Sequence, residues 1–357
     1  MNIAATIAAE LNVKESQVST ALQLLAEGNT VPFIARYRKE ATGGLDDSQL
    51  RTVEERANYL KELQERKETI LAAIEEQGKL SDALKEQILA CETKARLEDL
   101  YLPYKKRRKT KADIAREAGL EELTDKLIAD PNAAPEELAQ GFVTEGFEDT
   151  KKALDGARAI LVDRFALDAD LVGEVRERMF TEGSMGAHVV EGKEAEGAKF
   201  KDYFDFNEPF HKLPSHRILA LLRGENEGVL QLQLDAGDDA DYEDVIASRF
   251  ELDRSSKWLA DAVHWGWRTK LYISSSLDVR MRLKEIAEEG ALKIFATNLR
   301  DVLLAAPAGQ RSTIGLDPGY RNGVKCAVVD KTGKVLDTAI VLSLIHISEP
   351  TRQEAIS

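Results

Sequence analysis

The sequence has few cysteines and no long apolar run. It has two cysteines among 357 residues, Cys91 and Cys326, whose wide separation fits neither a disulfide framework nor a metal-binding pair. No apolar run approaches the ~18 residues that a membrane-spanning helix needs. The first residues, MNIAATIAAELNVKESQ, lack the basic region and apolar core of a secretory signal. We therefore expect a cytoplasmic protein that does not interact with membranes.

Aromatic residues are also scarce, at 6% of the chain, and the abundant residues are the helix formers Ala, Glu, Leu and Lys. A hydrophobic content of 43% is that of an ordinary globular protein. The formal net charge is −14, which excludes a surface that attracts polyanions everywhere but allows a local basic patch. The composition thus predicts a mainly α protein in which any nucleic-acid site is local.

Residues 1–182 carry the pattern of a multi-helix region. Val18 and Leu22 recur at helical spacing, and a long helix is predicted from Asp46 to about Gln77. The next stretch, 183–215, loses this periodicity and is interpreted as loop or irregular structure.

Residues 183–305 form a central region that also contains strand signals. The stretch RILALLRGENEGVLQLQLDAG predicts a β-hairpin at about 217–235, with GENEG as its turn. Helices return from Tyr242 to about Ala305, and residues 306–312 are interpreted as a short linker.

Residues 313–341 are predicted to form the first hairpin of a further domain. A lone two-stranded element is marginal in water and has open edges, so we expect disorder or non-native packing there. The last residues, LSLIHISEPTRQEAIS (342–357), resemble one reading frame of a sequencing adapter. We interpret them as a non-native tail from library preparation, and we expect the native chain to continue beyond Val341.

Four stretches, in order along the chain, carry a resemblance to a known family. They are GNTVPFIARYRKEATGGLDD (28–47), LEDLYLPYKKRRKTKADIAREAGLEEL (97–123), FHKLPSHRILALLRGENEGVL (210–230) and DPGYRNGVKCAVVD (317–330). Over residues 1–341 the chain resembles Tex, a family of bacterial transcription accessory proteins. The resemblance implies a helical N-terminal region with a helix-turn-helix-like element and a truncated RNase H-like α/β domain of the YqgF type. It also implies binding of nucleic acid, RNA included, and on this resemblance we expect residues 1–341 to lack the family's helix-hairpin-helix and S1 modules.

The segment KKRRKTK (105–111) is the main candidate for nucleic-acid contact. Six of its seven residues are basic, and such a cluster neutralises phosphates without sequence preference. Tyr101 and Tyr104 precede it and offer rings on which bases can stack. The alternative is a solvated loop whose cations pair with nearby Glu and Asp residues. The candidate binding residues are Tyr104, Lys105, Lys106, Arg107, Arg108, Lys109 and Lys111.

A second candidate is ARYRKE (35–40), in a turn-rich link where Arg36 and Arg38 lie beside Phe33 and Tyr37. These arginines either contact phosphates or a docking protein, or they bridge the link to neighbouring helices through pairs with carboxylates. From the sequence alone we favour the bridging interpretation.

Asp317 is the one candidate for a catalytic residue, because it matches the first carboxylate of the RNase H-like fold. Nucleases of that fold hold two divalent ions with several carboxylates, and the partners of Asp317 would lie beyond Val341. Asp317 also begins the turn sequence DPGYRNG, in which Asp commonly caps its own turn. Asp330, in VVDKTGKV, is interpreted as a hairpin-turn residue. We therefore expect no enzymatic activity.

The tryptophans and histidines give weaker signals. Trp258 and the WGW motif (265–267) either form a base-stacking platform or pack helices together, and packing is the commoner role. His211 and His216 are separated by Pro214, and the histidines as a set lack metal-ligand spacing. The sequence predicts neither a metal nor a cofactor.

Three functional hypotheses follow. The first is a non-enzymatic, RNA-binding transcription accessory factor whose further partners are DNA and the transcription machinery. The second is a metal-dependent nuclease or resolvase built on the RNase H-like domain, which requires further acidic residues to join Asp317. The third is a protein-interaction scaffold whose helical half contacts no nucleic acid.

Overall fold

The chain folds into two compact units, the first ending at Glu288 and the second beginning at Glu289. We call them the helical unit and the C-terminal unit. The division falls within one long helix, Tyr272–Leu303. The computed structural model describes residues 2–105, 108–306, 309–319 and 323–341.

Most described residues are helical, so the mainly α fold class predicted from the sequence is confirmed. The α-helices are α1 (Ile3–Leu11), α2 (Glu15–Ala26), α3 (Val31–Tyr37), α4 (Asp47–Glu76), α5 (Asp82–Ala90), α6 (Lys94–Tyr101), α7 (Lys111–Glu117), α8 (Glu121–Ala129), α9 (Pro135–Gln140), α10 (Thr150–Leu167), α11 (Ala169–Glu182), α12 (Ser215–Asn226), α13 (Asp239–Arg249), α14 (Lys257–Gly266) and α15 (Tyr272–Leu303). Among the described helices, none is long and apolar enough to cross a membrane.

Local signals set the bounds of α4. The Asp46 carboxylate accepts a hydrogen bond from the Gln49 amide at 2.8 Å, and the Gln49 side chain accepts one from the Asp46 amide at 3.1 Å. This reciprocal capping satisfies two amides that the helix leaves unpaired. At the other end Gly78 adopts a φ of +68°, the left-handed conformation that ends helices. The long helix predicted from Asp46 to about Gln77 is confirmed.

Four apolar clusters hold the helical unit together. One joins α1–α4, a second α4–α6 and a third α7–α10, while the largest surrounds a small sheet with α10–α15. In the largest cluster the buried Trp267 stacks on Tyr242, with ring centroids 4.2 Å apart, and its Nε1 donates to Asp239 at 2.7 Å. Because each fully buried large apolar side chain contributes ~1.5–3 kcal/mol, this unit has a core of its own.

The sheet of the helical unit consists of β1 (Ser184–Val189), β2 (Asp205–Pro209) and β3 (Leu230–Asp235) in the order β2-β1-β3, all antiparallel. Two predictions are wrong here. Residues predicted as the first strand of a hairpin at 217–235 form α12, and β3 pairs instead with β1. Both β1 and β2 lie in the stretch 183–215, which the sequence predicts to be irregular.

The physical reason for the error lies in α12. Ile218 and Leu221 are buried at helical spacing, which places them on one face against the sheet. Gly224 continues that face, where a Cβ would lie 2.4 Å from a methyl carbon of Leu230. The GENEG sequence therefore ends a helix packed on β3, with Gly228 at a φ of +71°, instead of joining two strands.

In the C-terminal unit, β4 (Thr313–Gly319), β5 (Gly323–Val329) and β6 (Val335–Val341) form an antiparallel sheet in that order. The strand β6 thus adds to the predicted hairpin, so that β5 is paired by β4 on one edge and by β6 on the other. This regular sheet differs from the disorder that the sequence predicts for residues 313–341. The predicted tail, 342–357, lies outside the described residues.

Asp330 makes the turn between β5 and β6, as the sequence predicts. Its carboxylate accepts hydrogen bonds from the Thr332 hydroxyl at 2.6 Å and from the amides of Thr332 and Lys334 at 2.8 and 3.0 Å. The Thr332 hydroxyl and these amides hold the pKa of the Asp330 carboxyl below its usual range, because they stabilise its charged form.

Candidate nucleic-acid interface

The basic segment, residues 105–111, connects a short 3₁₀ turn (Leu102–Tyr104) to α7. At its end Thr110 caps α7, because its hydroxyl accepts from the Asp113 amide at 3.2 Å and the Asp113 carboxylate accepts from the Thr110 amide at 2.9 Å. Lys111 then opens the helix with an exposed side chain. Two of the predicted binding residues, Lys106 and Arg107, lie outside the described residues.

The described cations of the basic segment differ in their partners. Lys109 pairs with Glu117 at 2.8 Å, as the alternative of a neutralised loop predicts. Lys105, Arg108 and Lys111 are exposed, and no described carboxylate lies within ion-pair distance of them. Of the four described cations one is paired, and the other three remain exposed to solvent.

The two tyrosines before the segment anchor it to the helical core. Both pack against the α4–α6 cluster, and the carbonyl of Tyr104 accepts a hydrogen bond from the Gln77 side chain at 2.9 Å. The Arg66 guanidinium lies 5.5 Å from the centre of the Tyr101 ring. A role for Tyr104 in base stacking stays a prediction.

Arg36 and Arg38 lie at the end of α3 and just after it, in a segment we call the arginine loop (residues 36–44). The sequence suggests a turn-rich link, but Pro32 sits in the first helical turn, where its missing N–H costs nothing. The loop is fastened to α2 by the Gln17 side chain, which donates to the carbonyls of Thr42 and Gly43 at 3.3 and 2.8 Å.

The arginine loop presents its cations outward. Arg36, Arg38 and Lys39 are exposed, and among the described residues their side chains have no ion pair or hydrogen bond. The bridging role favoured from the sequence is therefore wrong. Tyr37 is 69% exposed, and its ring lies 5.2 Å from that of Phe33. Three cations and an aromatic pair thus share one surface.

The lack of partners sets these arginines apart. Every other arginine described between residues 2 and 288 lies within 4 Å of a carboxylate oxygen. In that stretch the exceptions are Arg36, Arg38 and Arg108, and all three belong to the two candidate segments. An unpaired guanidinium keeps its planar fork of donors available for phosphate. On a chain of net charge −14, these segments are local places where a polyanion can bind.

The structure assigns different environments to the tryptophans. Trp267 is buried and Trp258 packs between two apolar clusters, so the packing interpretation is confirmed for both. Trp265 is 52% exposed, and the Arg158 guanidinium lies 5.0 Å from its ring centre. Sequence reasoning did not separate Trp265 from Trp267.

Asp317 lies on β4 of the C-terminal unit, where it is the cross-strand partner of Lys325. It is exposed, and its side chain caps no turn within the described residues. The recess beside it, about 730 Å³, is lined largely by apolar residues such as Leu316 and Ile340. In the part of the chain that the structure describes, no three His, Cys, Asp or Glu side chains come together as metal ligands. A catalytic role for Asp317 stays untested.

The fold and the candidate site define a class of protein: a mainly helical protein in which a few arginines have no ion-pair partner among the described residues and can bind a polyanion. Three family models match successive parts of the chain: the Tex-like protein N-terminal domain at residues 1–75, the Tex central region at 130–295 and the Tex protein YqgF-like domain at 311–356. The chain belongs to the Tex family, which confirms the resemblance seen in the sequence. The third match includes residues of the segment 342–357, whose foreign origin stays a prediction.

Similar proteins extend from bacteria to humans. Transcriptional accessory protein Tex of Neisseria gonorrhoeae is 55% identical over 348 residues, which cover 96% of this chain and 46% of that protein. Protein tex of Bordetella pertussis is 51% identical over 356 residues, covering 95% and 45%. S1 RNA-binding domain-containing protein 1 of Homo sapiens is 29% identical over 360 residues, covering 96% and 36%. The chain spans about half the length of the bacterial relatives it matches.

Proposed function

We propose that this chain binds RNA as part of a transcription accessory factor and has no catalytic activity of its own. The observation that carries the proposal is the set of unpaired arginines, Arg36, Arg38 and Arg108, in a unit whose other described arginines pair with carboxylates. The names of the relatives, which refer to transcription and to RNA binding, support it. DNA and the transcription machinery are further proposed partners.

Binding through these residues is a backbone interaction. Guanidinium and ammonium groups contact phosphates and release counterions, which gives affinity without sequence preference. The arginine loop adds the exposed Tyr37 beside its cations, and the basic segment adds Lys105 and Lys111. We therefore expect affinity to depend steeply on salt and weakly on sequence.

The test is a salt titration of binding, measured by fluorescence anisotropy on a labelled single-stranded RNA. In the intact chain with R36Q, R38Q and R108Q combined, the slope of log K against log salt should fall in magnitude by about two, because each phosphate contact to a single strand contributes ~0.7. The matched control combines R51Q, R223Q and R254Q, which change the net charge equally but remove arginines that pair with Asp47, Glu227 and Asp244.

The control triple should keep most of the original slope. Equal losses in the two triple variants would show that net charge alone matters and would contradict the proposed contacts. If the intact chain bound no RNA, the protein-scaffold hypothesis would replace this one.

A further inference from the structure

A cleft of about 460 Å³ lies where the end of the basic segment meets α10 and α14. Lys111, Arg158, Trp265 and Lys270 are among its lining residues, and all of them belong to the helical unit. Its size falls within the range of about 300–1,000 Å³ that small-ligand sites occupy. The cleft thus combines an exposed indole with several cations.

Close packing of α14 on α10 positions the indole. A Cβ on Gly266 would lie 2.7 Å from a ring carbon of Phe165, so glycine is needed for the two helices to approach this closely. With Trp267 turned into the core, Trp265 lies outside, beside Arg158 of α10. The Arg158 guanidinium lies over the Trp265 ring, and about half of the Trp265 surface remains exposed.

The backbone after Trp265 is unusual. Residues Trp267–Leu271 form a turn of π-helix, in which the Tyr272 amide donates to the carbonyl of Trp267, five residues earlier. Such turns are rare and occur frequently at functional sites. Thr269 and Lys270 lie on this turn, and both line the cleft.

The charge balance of the cleft favours an anion near Trp265. Lys111 and Lys270 are exposed, and neither has an ion pair with a described residue. The two carboxylates in the lining, Asp155 and Asp163, each pair with an arginine, at 2.5 and 2.9 Å. The lysines therefore remain available to a ligand.

We propose that this cleft binds one base of a single-stranded RNA, stacked on Trp265, with the flanking phosphates held by Lys111 and Lys270. Stacking on an aromatic ring tolerates any base, and cations alongside it follow the backbone. A base inside a duplex is not available for stacking, so the cleft selects single strands. The inference rests on the proposed function, because the strand continues from the cleft onto the basic segment that Lys111 ends.

The test compares W265A with the intact chain on two probes, a labelled single-stranded RNA of about twelve nucleotides and the duplex of the same length. W265A should weaken binding of the single strand by about 5- to 150-fold, the value of one stacked base, and leave duplex binding unchanged. W265F should retain most of the affinity. The matched control is I273A, since Ile273 is 51% exposed and lies in the same unit.

Tryptophan fluorescence gives a second measurement that needs no unstable variant. Single-stranded RNA should quench the emission of the intact chain, and the quenching should be lost in W265F. Unchanged single-strand affinity in W265A, or equal losses on both probes, would overturn the stacking cleft. If the R36Q, R38Q and R108Q combination weakened binding while W265A did not, only this inference would fail and the proposed function would stand.

Discussion

The two units of the chain use their apolar residues differently. In the helical unit four clusters bury them, and the small sheet is covered by helices. In the C-terminal unit, Ile314 and Leu316 of β4 and Leu336 of β6 are largely exposed. A sheet needs another layer to bury a face, and alternation along a strand does not supply one. The difference shows that strands can pair regularly without forming a buried apolar core.

The same difference bears on the candidate sites. Trp265 is positioned by a helix contact that a single methyl group would disturb, and the arginine loop is fastened by Gln17. Asp317 lies on an exposed strand, with no described hydrogen bond to orient its carboxylate. Sites that must hold a ligand in a fixed geometry need such support. The helical unit provides it.

The largest expected effect is a loss of stability on removing a core side chain of the helical unit. W267A removes a fully buried indole, its stacking on Tyr242 and its hydrogen bond to Asp239, and should lower the free energy of unfolding by ~3–5 kcal/mol. Urea denaturation followed by circular dichroism measures it. A loss below ~1 kcal/mol would mean that the helical core is not packed as described.

We also expect the stability of the helical unit to depend on pH. The buried Tyr242 hydroxyl donates to the Ala236 carbonyl at 2.9 Å, and burial, reinforced by the Glu182 carboxylate, raises its pKa from 10.0 to about 12. Between these values the folded state keeps a proton that the unfolded chain has lost.

The contribution of Tyr242 to the free energy of unfolding should therefore be fully present below pH ~10. It should fall by roughly 2–3 kcal/mol as the pH rises to ~12. Urea midpoints of the intact chain and of Y242F, measured across this range, test the sign. The Y242F variant should lack most of the decline, and parallel pH profiles would contradict the assignment to Tyr242.

A smaller effect is expected in the C-terminal unit. Leu316 is 65% exposed, so L316A should change the free energy of unfolding by less than ~0.5 kcal/mol. The same denaturation experiment applies. A loss comparable to that of W267A would erase the contrast between the units, because it would reveal a buried face on this sheet.

The smallest effect should come from Asp317. D317N is expected to leave both RNA affinity and RNA integrity unchanged, because a two-metal reaction requires several carboxylates. Gel analysis of labelled RNA with Mg²⁺ checks this. Cleavage by the intact chain that D317N abolishes would support the nuclease hypothesis.

Sequence reasoning succeeded where the signals are local. The bounds of α4 follow from Asp46, Gln49 and Gly78, and the basic segment is visible in composition alone. It failed at the β1–β3 pairing, which joins residues about 40 to 50 positions apart, from Val189 with Leu230 to Ser184 with Asp235, and leaves no local trace. It also could not tell which arginines are paired, because partners such as Glu177 for Arg282 lie more than a hundred residues away.

The tryptophans show the same limit of sequence reasoning, because their environments depend on residues that are distant in the chain. Trp265 and Trp267 are two positions apart in one motif, and periodicity predicts that they face different directions. Trp267 enters the core, where it stacks on Tyr242 of another helix, and this distant partner cannot be read from the motif itself. The sequence offers the whole motif either as a base-stacking platform or as packing residues, and only the structure identifies Trp265 as its exposed indole.

The most direct test of the central claim is amide hydrogen exchange of the intact chain with and without single-stranded RNA. We predict slower exchange in the arginine loop, in residues 108–112 and around the π-helical turn, with no change in residues 313–341. Protection confined to 313–341, with the helical unit unaffected, would contradict the assignment of nucleic-acid binding to the helical unit.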